Sequence, residues 1–255
     1  FEQLIKRHES LRTSFMTRDD QLVQKIADQI KFQIEKIKDS CGEPSEIMGE
    51  FIRPFDLESG PLFRIGIADL EEDKQLLILD IHHIISDGQS MAVLIDEFTA
   101  LYRGDNLERL PIQYKDYAQW QNRLLESEEI KEGEEYWLDQ FQGEIPLLEL
   151  PTDYPRPTRQ SLVGETIKFE LDGNLTQELK DLADRTGTTM YMILLAAVNT
   201  LLYRYTGQED IILGSPIAGR PDPQLENIIG MFVNTLPIRT QPTGEKSYRQ
   251  FLTEI

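Results

Sequence analysis

IHHIISDGQS, residues 81–90, sets two of the chain's three histidines side by side and follows them, after three further residues, with an Asp-Gly pair. The run before it, QLLILDIHH (75–83), is almost continuously apolar and reads as a buried strand. The run after it, SMAVLIDEFTALYRG (90–104), carries Met91, Leu94, Ile95, Phe98, Leu101 and Tyr102 at helical spacing, with Ser90 as N-cap and Gly104 as C-cap. The motif therefore occupies a loop between a strand terminus and a helix N-terminus, where backbone N–H groups point outward. Successive side chains of a strand face opposite ways, so His82 and His83 cannot serve one purpose. One is expected to enter the scaffold and the other the space at the strand end. Asp87 stands where it could hold an imidazole, cap the next helix or pair with a buried arginine. Gly88 permits a backbone geometry that a side chain would block.

The spacing HHxxxDG should arise by chance in roughly one chain per few thousand at ordinary residue frequencies. Metal binding is a poor explanation, because His8 is remote in sequence and no ligand-spaced Cys or His cluster exists. Nucleophilic catalysis is poorly supported too: there is no GxSxG elbow, and Cys41, the single cysteine, lies in no thiol motif. What remains is a histidine that accepts a proton while another group attacks.

Composition sets the frame. The chain has 255 residues, 40% of them hydrophobic and 28% charged, which suits one large domain or two lobes with a sizeable core. Its net charge of −19 argues against a nucleic-acid backbone as partner. No apolar run approaches a membrane span, and the lone cysteine excludes an internal disulfide framework and fits a reducing, cytoplasmic setting. The acidic stretch 124–144 reads as a solvated helix face, with a docking surface for a basic partner as the alternative. Phe1 and Ile255 each fall inside an amphipathic stretch, which we read as an excerpt from a longer polypeptide.

Outward from the motif, FEQLIKRHESL (1–11) has a helical pattern and LRTSFM (11–16) that of a short strand. Residues 19–60 are polar with helical stretches and close on FIRPFDLESGP, whose Pro54, Gly60 and Pro61 mark turns. LFRIGIADL (62–70) alternates as a strand, and EEDK (71–74) joins it to the strand before the histidines. GEIPLLELPTDYPRPTRQ (143–160), with four prolines and no helical period, reads as an extended connection between lobes. We expect an N-terminal lobe over 1–145, the Pro-rich connection at 146–162 and a second lobe over 163–255. The second lobe opens with a strand at 164–171 and a helix at 175–187. A helix at 188–207, apolar almost all round and so expected to be buried, precedes strands within 210–219 and 231–240. Strands mixed with helices on both sides of the crossing predict an α/β (α+β) sandwich in two lobes.

HHIISDG resembles the HHxxxDG signature of the condensation domains of nonribosomal peptide synthetases, within the wider chloramphenicol-acetyltransferase-like superfamily. RHESLRTSF (7–15), YKDYAQW (114–120) and IGMFVNTLPIR (229–239) are similar to further blocks of that family, in the family's order. The resemblance implies two lobes arranged as a V, with mixed sheets and flanking helices. It implies amide formation: an acceptor's amine attacks a donor's carbonyl, both substrates arriving as thioesters on the 4'-phosphopantetheine of carrier domains, with no cofactor or metal bound directly. Upstream and downstream peptidyl carrier domains and an adjacent adenylation domain would be the partners, in the cytoplasm of a bacterium or a similar host. On this carry-over His83 faces the tunnel as the catalytic group and His82 packs inward. Asp87 stays ionised against an arginine, with Arg12 the first candidate and Arg220 and Arg239 behind it. Gly88 brings bare backbone near the donor thioester, while Ser90 and Asn234 are candidates for substrate binding. Ser90 also reads as a helix cap and Asn234 as a strand-end residue. Arg7, His8 and Glu9 would anchor the first strand, and Tyr114, Tyr117, Trp120 and Trp137 would pack the fold.

Several relatives carry the same motif. An epimerization domain keeps HHxxxDG, but RHESLRTSF and FVNT resemble condensation blocks. A heterocyclization domain replaces both histidines with aspartates, and both histidines stand here. A free-standing acyltransferase and a catalytically silent scaffold are the further alternatives. Leu236, after FVNT, resembles the blocks of domains that join an L-configured donor to an L-configured acceptor.

Overall fold

The computed structural model describes residues 1–37, 43–70, 74–159, 161 and 163–255. Cys41 and most of the expected EEDK connection lie outside the described residues. The chain divides into two compact units, Phe1–Lys131 with Pro216–Asn234 and Glu132–Ser215 with Thr235–Ile255. These differ from the expected lobes in two ways. The division falls at Lys131/Glu132 rather than near residue 145, and a segment of the C-terminal half belongs to the first unit. The reason is apolar burial: Leu225, Ile228, Ile229 and Phe232 are buried in cores made by N-terminal residues.

The first unit opens with α1 (Glu2–Arg7) and a 3₁₀ turn (Glu9–Arg12). β1 (Thr13–Arg18) and β2 (Gln21–Ile26) then form an antiparallel hairpin. Its two turn residues, Asp19 and Asp20, have φ of 50° and 59°, a conformation that aspartate tolerates better than most side chains. β2 was not expected, because none of its residues is fully buried and its apolar residues show no alternation to read. β3 (Glu35–Ile37) runs parallel to β4 (Phe63–Asp69), which pairs antiparallel with β5 (Gln75–Ile81). Between β3 and β4 comes α2 (Pro44–Phe51), whose Phe51 ring lies over Gly66 of β4. A Cβ at Gly66 would stand 2.7 Å from that ring. α3 (Gly88–Arg103) follows the motif and ends on Gly104 at φ 90°, as expected for a C-cap. Its inward face is narrower than the sequence pattern implies. Leu94 is buried and packs with Leu4, Ile65 and Ile85, whereas Ile95 and Tyr102 point to solvent. α4 (Tyr114–Leu125) begins with a reciprocal cap between Gln113 and Asp116.

The second unit holds most of α5 (Ile130–Gln140), then α6 (Gly173–Thr186), α7 (Met190–Thr206) and α8 (Tyr248–Glu254). β6 (Ile211–Ile217) and β7 (Asn234–Thr240) pair with each other. Asp172, Thr189 and Ser247 cap the three later helices through side-chain oxygens, and Gly187 and Gly207 end α6 and α7 in the left-handed region. The core joins Ala183, Ile193, Ala196, Phe251 and Leu252.

Two expectations for this unit are corrected. Residues 164–171 form no strand: Val163, Ile167 and Phe169 are 92%, 87% and 81% exposed, and no described strand pairs with them, so their alternation has no ladder to join. α7 is not buried all round. Ile193 and Ala196 pack with α6 and α8 and Asn199 accepts from the Thr240 hydroxyl of β7, while Leu194, Val198, Leu201 and Tyr205 line an exposed stripe. Residues 143–159 do run without helix or strand. No single helix among the described residues is long and apolar enough to cross a membrane.

Candidate functional site

The first unit's sheet leads directly to the motif. β5 ends at Ile81, and the His82 N–H donates to the Leu62 carbonyl at 2.9 Å, which carries the pairing one residue further. The chain then leaves the sheet through a 3₁₀ turn, His83–Ile85. His82 caps that turn, its Nδ1 accepting from the Ile84 N–H at 3.1 Å, and the Phe55 ring meets the imidazole edge-on with centroids 6.0 Å apart. Half-buried and bonded to its own loop, His82 is held in one orientation. His83 is exposed, and its ring has no partner among the described residues. The two imidazoles are therefore differentiated, one tied into the scaffold and one open to solvent.

Asp87, 5% exposed, is the N-cap of α3; Ser90, expected in that position, lies inside the helix. Its Oδ1 accepts from the Ser90 N–H at 2.8 Å, from the Ser90 hydroxyl at 2.7 Å and from Arg220 Nη2 at 3.1 Å. Its Oδ2 accepts from the Phe232 N–H at 3.0 Å. Burial alone would raise the carboxyl's pKa. The donors from Ser90 and Phe232 and the charge of Arg220 outweigh it and hold Asp87 below the ordinary carboxylate range.

The arginine partner is Arg220 rather than Arg12. Arg12 sits at the foot of β1, donates to the Ala27 carbonyl at 2.5 Å and faces Glu9 at 3.6 Å, and its reach is spent there. Arg239 is bound elsewhere, in the second unit, by Asp210 at 2.6 Å. Arg220 is enclosed. Its Nη1 donates to the carbonyls of Leu225 and Ile228, its Nη2 also reaches the Ser90 hydroxyl at 3.0 Å, and the guanidinium lies 3.9 Å above the Phe232 ring.

Ser90 is fully buried. Its hydroxyl donates to Asp87 or the Gly230 carbonyl, and accepts from the Gly230 N–H at 3.0 Å and from Arg220. A substrate therefore finds no free hydroxyl at position 90. Gly88, the first residue of α3, is exposed, and a Cβ there would meet nothing within 4 Å. The fold itself does not require glycine at this position. Asn234 stands exposed at the start of β7, two residues beyond the Phe232 amide that Asp87 holds.

The structure adds residues to this site that the sequence reading placed elsewhere or passed over. Ser10 donates to the Ile229 carbonyl at 2.5 Å, and the Tyr114 hydroxyl donates to Met231 at 2.8 Å. Tyr117 is buried against Phe232, with ring centroids 4.7 Å apart. Together with Ser90, these residues fasten 229–232 to the floor beneath the motif. The only sequence signal was that RHESLRTSF, YKDYAQW and IGMFVNTLPIR are separate blocks; nothing in their spacing says that they meet. His8 is 1% exposed and meets Glu97 at 2.6 Å, while Arg7 holds the same carboxylate at 2.9 Å. Burial would raise Glu97, but His8 and Arg7 hold it low. The pair locks the end of α1 to α3, so His8 holds a helix rather than the first strand it was expected to anchor.

Comparison with known proteins follows this geometry. The family profile described as "Condensation domain" matches residues 1–255. The chain is 50% identical over 254 residues to tyrocidine synthase 3 of Brevibacillus parabrevis. It is 50% identical over 255 residues to gramicidin S synthase 2 of Aneurinibacillus migulanus, and 48% identical over 254 residues to surfactin synthase subunit 2 of Bacillus subtilis (strain 168). Each match covers 100% of this chain but only 4%, 6% and 7% of those relatives, so the chain spans a small part of their length. Among solved structures, a four-domain nonribosomal peptide synthetase bound to AMP and glycine aligns over 99% of this chain and 20% of its own, with a TM-score of 0.86 and 24% identity. The X-domain from teicoplanin biosynthesis aligns over 99% of this chain and 59% of its own (TM-score 0.85, 26% identity). The epimerization domain of the third module of tyrocidine synthetase B aligns over 100% and 62% (TM-score 0.85, 21% identity). With the condensation-domain profile matched over residues 1–255 and relatives 48–50% identical over the whole chain, this chain belongs to the condensation-domain family.

Proposed function

We propose that the chain forms amide bonds in nonribosomal peptide synthesis. The amine of an acceptor aminoacyl thioester attacks the carbonyl of a donor aminoacyl or peptidyl thioester, both borne on the 4'-phosphopantetheine arms of carrier domains. A C–N bond forms, the donor's C–S bond breaks, and the amine's proton passes by way of the protein to the departing thiolate. One observation carries this reading: His83 is an exposed, unpartnered imidazole on a loop whose Asp87 is buried and fully engaged. Asp87 is thereby reserved for holding the loop and His83 is the group free to meet a substrate.

Magnitudes define what His83 has to do. An α-amine has a pKa near 8 and histidine one of about 6.5, so about a tenth of the amine is already neutral at pH 7. A strong base is not needed to make the nucleophile. The proton becomes acidic as the nitrogen gains positive charge during attack, and a neutral imidazole then accepts it. Orienting the amine against the thioester contributes several kcal/mol more. Gly88 leaves bare backbone beside the reacting carbonyl, and Asn234 offers an amide to substrate. The flanking partners on this reading are upstream and downstream carrier domains and an adenylation domain. Leu236 supports an L-configured donor and an L-configured acceptor.

The test is a single-turnover assay with both carriers loaded. His83→Ala should lower the rate by about 10²-fold or more with an unchanged melting temperature. Wild-type-like dipeptide formation by that variant would remove the basis of the proposal. Transfer to a small soluble amine in place of a loaded carrier would favour a free-standing acyltransferase. Inversion of the donor's α-carbon without amide formation would favour epimerization, and no turnover at all a silent scaffold.

A further inference from the structure

We infer that the first unit carries a second ligand site, an oxyanion-binding cavity that takes a small organic phosphate. The inference goes beyond amide formation and does not depend on it. A cavity of about 770 Å³ opens between α1, the 3₁₀ turn Glu9–Arg12 and the loop from Asn106 to Gln113, a volume in the range of small-molecule sites. Its charge is out of keeping with the molecule. On a chain of net charge −19, five cationic side chains line this cavity against two carboxylates.

The pairing within the wall sharpens the imbalance. Lys115 sits 2.7 Å from Glu9, which Arg12 also faces at 3.6 Å, Arg7 is paired with Glu97 at 2.9 Å, and Asp116 accepts the Gln113 N–H at 2.8 Å, so the unpaired positive charge of the wall rests on Lys6 and Arg109. Lys6 and Arg109 are exposed and have no hydrogen bond or ion pair among the described residues. Arg12 lines the same cavity with its two Nη atoms engaged and its Nε enclosed. Like charges in one concavity raise the local potential, and a dianion lowers it. The free guanidinium of Arg109 presents the planar fork that matches phosphate oxygens, and Lys6 supplies a point charge. A monoanionic carboxylate balances this wall less completely. Leu107, Pro111 and Ile112 also line the cavity, which suits a ligand whose phosphate is joined to a compact apolar body.

Isothermal titration calorimetry with phenyl phosphate, inorganic phosphate and benzoate tests this. Phenyl phosphate should bind the chain saturably at one site, more tightly than inorganic phosphate, which lacks the apolar body, and than benzoate, which lacks the second charge. Lys6→Gln with Arg109→Gln should weaken phenyl phosphate by about tenfold or more. Lys180→Gln with Arg204→Gln, which removes the same charge from the second unit, should leave its affinity unchanged. Lys6 and Arg109 are exposed, so both variants are expected to fold; melting curves check this, and the two single variants serve if the double one is compromised. Absence of saturable binding overturns the site. So does an equal loss in the control variant, which would indicate net charge alone. Benzoate binding as tightly as phenyl phosphate overturns the assignment to phosphate.

Discussion

Asp87 divides its two oxygens between its own helix and a segment more than 130 residues away, and removing it affects both. Asp87→Ala leaves Arg220 buried and charged, its side chain 2% exposed, beside an uncapped helix. Breaking a buried pair from one side costs about 3–5 kcal/mol, so urea denaturation should show that loss, and expression should yield misfolded protein. A soluble, native-like but inactive Asp87→Ala would mean instead that the carboxylate takes part in the chemistry. Ser90→Ala removes a hydroxyl that satisfies the Gly230 N–H from within a closed site. Its expected cost is about 1–3 kcal/mol, read from the same denaturation curves. At this scale the sequence was informative about chemistry and silent about partnership. HHxxxDG marked His83 and Asp87, whereas Arg12 stood first among the arginines through RHESLRTSF, a block 75 residues away. Arg220 is the partner because the fold returns it to the motif, and no local pattern encodes that return.

Among the elements, 216–234 is the one whose conformation leaves least room for change. Gly219 has φ of 65°, and a Cβ there would stand 2.0 Å from the Phe232 carbonyl oxygen. Gly230 faces the Tyr114 ring, where a Cβ would come within 2.1 Å, and its backbone is held on both sides by Ser90. Gly230→Ala should therefore destabilise the first unit by about 1–3 kcal/mol, as overpacking does. A double-mutant cycle with Tyr114→Ala should recover part of the loss, since the clash needs both side chains; strictly additive effects would show that the ring is not the obstacle. Helices with clear caps were legible: α3, α6 and α7 lie where Gly104, Gly187 and Gly207 end the periodic pattern. The failures share a cause. Residues 164–171 alternate like a strand and α7 is apolar all round, but periodicity reports what a segment is able to bury, and burial needs a neighbour. Without one among the described residues, the first forms no strand and the second keeps a bare stripe.

For the molecule as a whole, acid sets a lower limit on stability. Asp87 and Glu97 in the first unit and Asp210 in the second are all held below their ordinary pKa, the last chiefly by hydrogen bonds from Arg239. A carboxyl depressed in the folded state contributes its full stabilisation above the unfolded value, about 4, and loses it as pH falls through the folded value. Melting temperature should thus vary little between pH 7 and about 5 and fall steeply below about 4. In Asp87→Asn the fall should be shallower, because one titrating group is gone. A profile that declined between pH 7 and 6 would show that groups other than these carboxyls govern stability. By itself the sequence determined the strand–loop–helix setting of the motif, the α/β class and the family, because each rests on residue types at short spacings that local geometry converts directly into strand, loop and helix. Only the tertiary structure decided which arginine neutralises Asp87, that Ser90 faces the protein, and that residues 216–234 belong with the N-terminal unit. Those outcomes depend on which apolar and charged groups, far apart along the chain, exclude water together, and no window of sequence contains both partners.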